Sequence, residues 1–252
     1  MNRIADLAIA LALVCLCPMV VCAQSSVLPK WEVGLGVGPY VYQGDLAPSA
    51  LGSWKTVRPG VSAFGSRILN RFFALRTNLT VAGLAGDDRK YGDVDWREAR
   101  GLRFNTSVFE VSEVLVWDIL GNNDNHYATR FSPYVFGGVG YSFLRVRRDA
   151  SRFSTGFFGA KSTVAEGLAA DLDHSEPRGV PVIPVGVGVR YSIAPAWSLS
   201  LESSYRVAFT DYLDGFSKVA DPRRNDHYYG ISIGVVYTFL RGRSIKCPTN
   251  PR

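Results

Sequence analysis

The sequence predicts an all-β chain folded as an eight-stranded up-and-down antiparallel transmembrane β-barrel. Three observations predict it: apolar side chains recur at every second position in eight stretches, the connections between those stretches alternate short and long, and outward aromatics gather at the short-connection ends. Glycine supplies 25 of 252 residues and aromatics 12%, a composition that suits many strands and turns better than helices.

The chain opens with a segment to be set aside before the fold is read. Arg3, an apolar run from Leu7 to Val21 and the exit Val21-Cys22-Ala23 give 1–23 the form of a secretory signal peptide. Cys15, Cys17 and Cys22 follow Val14, Leu16 and Val21, so none has the small residue that lipidation requires before it. Removal of the signal leaves Cys247 as the one cysteine and no internal disulfide. After it no apolar run reaches the roughly 18 residues of a membrane helix, which leaves strands as the means of crossing a membrane. The expected organisation is therefore a signal peptide at 1–23, a barrel at 24–239 and a basic periplasmic tail at 240–252.

In most strands the apolar positions carry odd numbers. Strand one sets Trp31, Val33, Leu35 and Val37 against Glu32, Gly34, Gly36 and Gly38; strand two, Val57 to Arg67, is the weakest, because Phe64 falls out of phase with Val61 and Ala63. Strand three sets Phe73, Leu75, Leu79 and Val81 against Ala74, Arg76, Asn78 and Thr80. Strand four offers Phe109, Val111, Leu115 and Trp117, broken by Glu113, for which the pattern gives no account. Strands five to eight continue with Val135 to Phe143, Ile183 to Ile193, Trp197 to Val207 and Tyr229 to Phe239.

The connections after strands two, four and six are short to moderate, and the others run longer, which places the short side in the periplasm. Trp31, Phe73, Trp117, Tyr191, Trp197, Tyr237 and Phe239 then form an aromatic belt at that interface. An eight-stranded barrel has a lumen just wide enough to be filled by side chains, so no diffusion pore is expected. Its inward set includes Glu32, Glu110 and Glu202 with Arg76, Arg190 and Arg206, expected to interlock as an ion-pair plug because unpaired charges in so narrow a space are costly.

Several stretches resemble the PorG-like family of outer-membrane barrels that belong to the type IX protein secretion machinery: "WEVGLGVGPYVYQGDL" from Trp31, "NRFFALRTNLTVAGLAGDD" from Asn70, "FSPYVFGGVGYSF" from Phe131, "YRVAFTDYLDGFS" from Tyr205, and the basic tail "LRGRSIKCPTNPR". The resemblance implies an eight-stranded barrel acting as an accessory of that apparatus and contacting a periplasmic ring built of a lipoprotein and its partner. Partner-contact candidates are the tail residues Arg241, Arg243, Lys246 and Cys247, the last as a leftover cysteine able to cross-link in an oxidising compartment. The alternative is a stand-alone barrel whose outer loops bind ligands or surfaces. A soluble lipid carrier fits less well, since its apolar face would point inward.

Chemistry finds little support. The three histidines, His126, His174 and His227, fall in different connections, so no activated nucleophile is expected and the chain is read as a non-enzyme without cofactor. The acidic stretch 84–96 lacks calcium-loop spacing, and Asp211 and Asp214 suit ordering of a loop through backbone amides, so no metal site is expected. The third long loop, about 145–178, mixes arginines with acids and offers cations to lipid phosphates or to an extracellular partner. A net charge of +6 does not argue for nucleic acid in an exported barrel, whose apolar face is expected to meet outer-membrane lipid.

Overall fold

A computed structural model describes residues 31–49, 51–92, 94–123, 130–220 and 225–239. Residues 1–23, expected as a signal peptide, and the tail candidates Arg241, Arg243, Lys246 and Cys247 lie outside the described residues, as does His126.

Eight strands, β1 (Trp31–Gln43), β2 (Arg58–Ile68), β3 (Phe73–Asp87), β4 (Arg103–Asp118), β5 (Phe131–Asp149), β6 (Gly179–Ala194), β7 (Trp197–Ala208) and β8 (His227–Thr238), form a closed barrel. Each pairs antiparallel with its neighbour in sequence, and β1 closes on β8 through Glu32 opposite Thr238 and Gln43 opposite His227. Tight connections of four and two residues follow β2 and β6, and 119–130 joins β4 to β5. At the other end lie 44–57, 88–102, 150–178 and 209–226, whose described residues include two 3-10 turns, Trp54–Thr56 and Asp88–Lys90, and three short α-helices, α1 (Asp95–Arg100), α2 (Thr155–Phe158) and α3 (Thr163–Asp173).

The odd-numbered face is the exterior: Leu35, Val139 and Ile233 are each more than three-fifths exposed, while even-numbered neighbours such as Glu110, Val114 and Val236 are buried. An apolar exterior around a polar interior is the inversion that lipid imposes, so this is a transmembrane barrel of the outer-membrane kind. Trp31, Phe73, Trp117, Phe131, Trp197 and Phe239 ring the short-turn end, where Trp197 packs on Tyr237 at 4.9 Å. A second aromatic cluster, Phe109 stacked on Phe143 at 6.0 Å with Tyr141 beside it, marks the other interface. Trp117 to Phe109 is about 27 Å of strand, which, once tilted, is commensurate with an apolar band of about 25 Å.

Two boundaries differ from the expectation. The acidic stretch from 84 and the third loop from 145 begin as strand: β3 runs to Asp87 and β5 to Asp149. Above Phe143 the outward positions become Arg145 and Arg147 while Leu144 and Val146 still face in, so the ladder continues past the membrane with a water-facing exterior. Phe64 also finds its place. Its even number makes it luminal, and it fills the space opposite Gly34, where any Cβ would come within 2.3 Å of its ring.

Glycine is obligatory where backbones close on one another. A Cβ on Gly138 would meet the Glu113 carbonyl oxygen at 2.0 Å, whereas one on Gly65, on the outer face, would meet nothing. Gly138→Ala is therefore expected to destabilise the barrel by about 3 kcal/mol or more, and Gly65→Ala to change stability by less than about 0.5 kcal/mol. Urea titration of the two variants in lipid vesicles checks both, and equal midpoints would refute the contrast.

Candidate functional site

The lumen is layered. At the short-turn end Ile68, Ala74, Val114, Val116, Tyr134 and Phe136 form an apolar floor. Level with it and above it the six charged residues singled out from the sequence come together as three pairs: Arg76, directly opposite Val114, with Glu202 at 2.8 Å, Arg190 with Glu32 at 3.0 Å, and Arg206 with Glu110 at 3.2 Å. Even-numbered positions bring them inside, and the stagger of the closed sheet, which joins residues far apart in sequence, selects the partners.

Tyrosines link the pairs. The Tyr134 hydroxyl donates to Glu202 at 2.9 Å, and its ring lies under both Arg76 and Arg190. Tyr228 donates to Glu110 at 2.8 Å and contacts Ser142 at 3.0 Å. Arg76 also stacks on Phe64, 4.3 Å from its centroid. A guanidinium between an aromatic face and a carboxylate has its flat surface and its edge both satisfied, which is how a cation tolerates loss of water. The cavity remaining beside these groups, lined by Ser62, Asn78, Ser112, Ser204 and Arg206 among others, measures about 20 Å³, room for one water.

At the long-loop end the barrel is capped. Leu46, Leu102, Leu168, Leu213 and Phe216 cover a buried layer containing Tyr42 and Phe104. Asp171, at the C-terminal end of α3, is fully buried and accepts from the amides of Ser217, Lys218 and Val219 at 3.1, 3.0 and 2.9 Å. Arg148 donates to the carbonyls of Asp171, Leu172, His174 and Gly215, tying β5 to the same loop. Asp88 holds Arg100 at 2.7 Å and folds 88–102 inward. Sequence reasoning missed Asp171, Asp226, Arg148 and Tyr42; only the even numbers of Tyr42 and Arg148 marked those two as inward.

Asp214 does order its loop, accepting from the Phe216 amide at 2.8 Å. It shares the Tyr42 hydroxyl with Asp226, at 2.7 and 2.6 Å. One O–H cannot donate to two carboxylates, so this triangle requires a proton on the acid pair. Burial pushes Asp214 and Asp226 well above the usual carboxylate range, with Asp226 raised further by Asp214, and Asp211 and Asp45 adding to both. Acids whose folded value is raised stabilise the fold fully below the ordinary carboxylate range and lose that contribution as pH rises through the raised value. The amides of Leu213 and Phe216 are thus expected to lose hydrogen-exchange protection, beyond the intrinsic rate change, as pH rises across that window. Asp214→Asn should flatten the dependence; a pH-independent parent would refute the shared proton.

Among the described residues no group of three metal-ligating side chains occurs. His174 stacks on Tyr212 at 4.4 Å, and His227 begins β8, on another part of the rim. The short-turn end presents the belt, with the Phe239 amide bonded to the Trp31 carbonyl at 2.9 Å.

Residues 9–240 match the family described as a domain of unknown function, DUF6089. The chain belongs to the DUF6089 family. The match spans the whole DUF6089 barrel and ends at residue 240, before the basic tail candidates. No curated protein matches the chain. Among solved structures it is similar to the attachment invasion locus protein Ail of Yersinia pestis, at 14% identity and TM-score 0.45 over 84% of this chain and 100% of that one. It is similar too to Neisserial surface protein A, at 14% identity and TM-score 0.44 over 83% and 97%. A major outer membrane protein from Thermus thermophilus gives 12% identity and TM-score 0.46 over 84% and 100%. The fold rests on the register and exterior described above rather than on these loose likenesses.

Proposed function

We propose that this outer-membrane barrel is a closed, non-enzymatic accessory of type IX protein secretion that contacts periplasmic ring components instead of conducting solutes. The observation that carries the reading is the plug: three ion pairs and their tyrosines cross the lumen, and the cavity beside them holds about 20 Å³, room for a water rather than a solute. A barrel that passes nothing through its axis works through its surfaces. The PorG-like stretches supply the apparatus, and Arg241, Arg243, Lys246 and Cys247 supply the candidate contact with its lipoprotein ring.

A pull-down from gently solubilised envelopes tests this, comparing the full chain with one ending at Phe239, both verified in the outer membrane. Ring components recovered only with the full chain support the accessory role and assign the contact to the tail. Their absence from both chains removes the secretion role.

The outer cap favours a second reading, ligand binding by the loops. A polar cavity of about 680 Å³ opens there, lined by Asp45, Ser49, Arg97, Asn225 and His227 among others. Here Arg97 donates to the Ala47 carbonyl at 2.9 Å and stacks on Trp96, which holds one wall of the cavity in place.

A further inference from the structure

The residue that breaks the exterior pattern points to a surface for a partner within the membrane. Glu113 lies on the lipid face of β4, midway between Phe109 and Trp117 and about 13 Å of strand from each aromatic level. That is the middle of the apolar band, beyond the reach of so short a side chain to either interface. Among the described residues the other charged group on the outer face from one girdle to the other is Arg67, which lies over the Trp31 ring at the short-turn girdle, so Glu113 alone sits at mid-depth. A carboxyl at this depth costs stability and is retained where it has a task.

The structure gives it one polar neighbour. Thr77, directly opposite on β3, donates its hydroxyl to Glu113 Oε2 at 2.6 Å. The same row continues to Gly65 on β2, where a Cβ would meet nothing. From Thr77 and Gly65 of this row an apolar groove of about 580 Å³ runs away from β4, lined also by Leu79, by Val33 and Leu35 on β1 and by Val235 on β8. A carboxyl held in place by a neighbouring hydroxyl, next to a recess of small residues, is a hydrogen-bonding anchor beside a slot for a ridge of side chains.

We infer that this wall, from Glu113 on β4 across Thr77 and Gly65 to the groove on β1, docks a membrane-spanning segment of a different protein that brings a cationic side chain to mid-membrane, where Glu113 receives it. Charge complementarity decides the occupant. The described exterior band of a second copy offers no cation at that depth, so self-association leaves Glu113 without a counter-charge. Lipid offers none either, because its headgroups lie at the girdles. The surface is independent of the tail and of the secretion reading, and stands or falls separately from them.

Photo-crosslinking in intact cells tests it, with a benzophenone side chain placed at Leu79 or Val139, which flank Glu113, and at the exposed Val187 on β6, away from the groove, as control. The expected result is a discrete adduct from the first two positions whose partner, identified by mass spectrometry, carries Lys or Arg at mid-depth of a membrane-spanning segment. Glu113→Leu and the near-isosteric Glu113→Gln should each reduce that adduct at least tenfold while the barrel keeps its heat-dependent mobility on gels. In purified form Glu113→Leu should unfold at higher urea than the parent, since its cost is relieved without the partner present. An adduct with a second copy, an adduct indifferent to both substitutions, or the same lipid-only labelling at all three positions would each overturn the proposal.

Discussion

Replacing Glu110 with alanine is expected to cost the barrel about 3–5 kcal/mol, because it leaves a buried guanidinium without its counter-charge. Arg206 and Glu110 have side chains only 7% and 1% exposed, and the carboxylate is bonded by Tyr228 and Ser112 as well as by Arg206. Removing it takes an acceptor from three donors at once. The pair as a whole contributes far less than this truncation cost, since bringing two ions out of water offsets most of their attraction. The double change Glu110→Leu with Arg206→Met should therefore recover most of the loss, the more so because Tyr228 keeps its contact with Ser142. Urea titration in vesicles, followed by tryptophan fluorescence, measures both. A Glu110→Ala barrel within about 1 kcal/mol of the parent would place the pair among exposed, weak bridges and refute its burial.

The luminal pairs show how far the sequence could be read. Lipid demands that every second residue be apolar, so the eight strands and the inward position of Glu32, Arg76, Glu110, Arg190, Glu202 and Arg206 follow from parity alone. Which arginine meets which glutamate does not, because it depends on the stagger at closure, a property of the whole ring. Phe64 looked out of phase because it was measured against the lipid face, when its partner is Arg76 inside the lumen. Glu113 stayed opaque because its one neighbour, Thr77, sits on another strand. The cap was the least legible part. Loops carry no period, and the contacts of Asp171 with 217–219 span dozens of residues with nothing local to announce them.

Those contacts make the second large prediction. Asp171→Ala is expected to release the outer segment 213–220 while leaving the barrel closed. Three buried amides, those of Ser217, Lys218 and Val219, lose their shared acceptor, and each unpaired amide costs about 1–3 kcal/mol if it stays buried. Detachment is cheaper than retention, so the segment opens to water. It also withdraws from α3, where Gly167 lies so close to the Lys218 carbonyl that a Cβ would sit 2.4 Å from it. Lys218 is exposed and offers trypsin a cleavage point once its backbone can extend. A local loss of about 2 kcal/mol raises the open population, and with it the cleavage rate, about 30-fold. Asp171→Asn, which keeps one acceptor oxygen, should fall between. Because the luminal ion pairs and the girdles are untouched, the urea midpoint of the barrel should move little; unchanged cleavage at Lys218 alongside a large midpoint shift would mean that cap and barrel unfold as one unit and that Asp171 supports the whole.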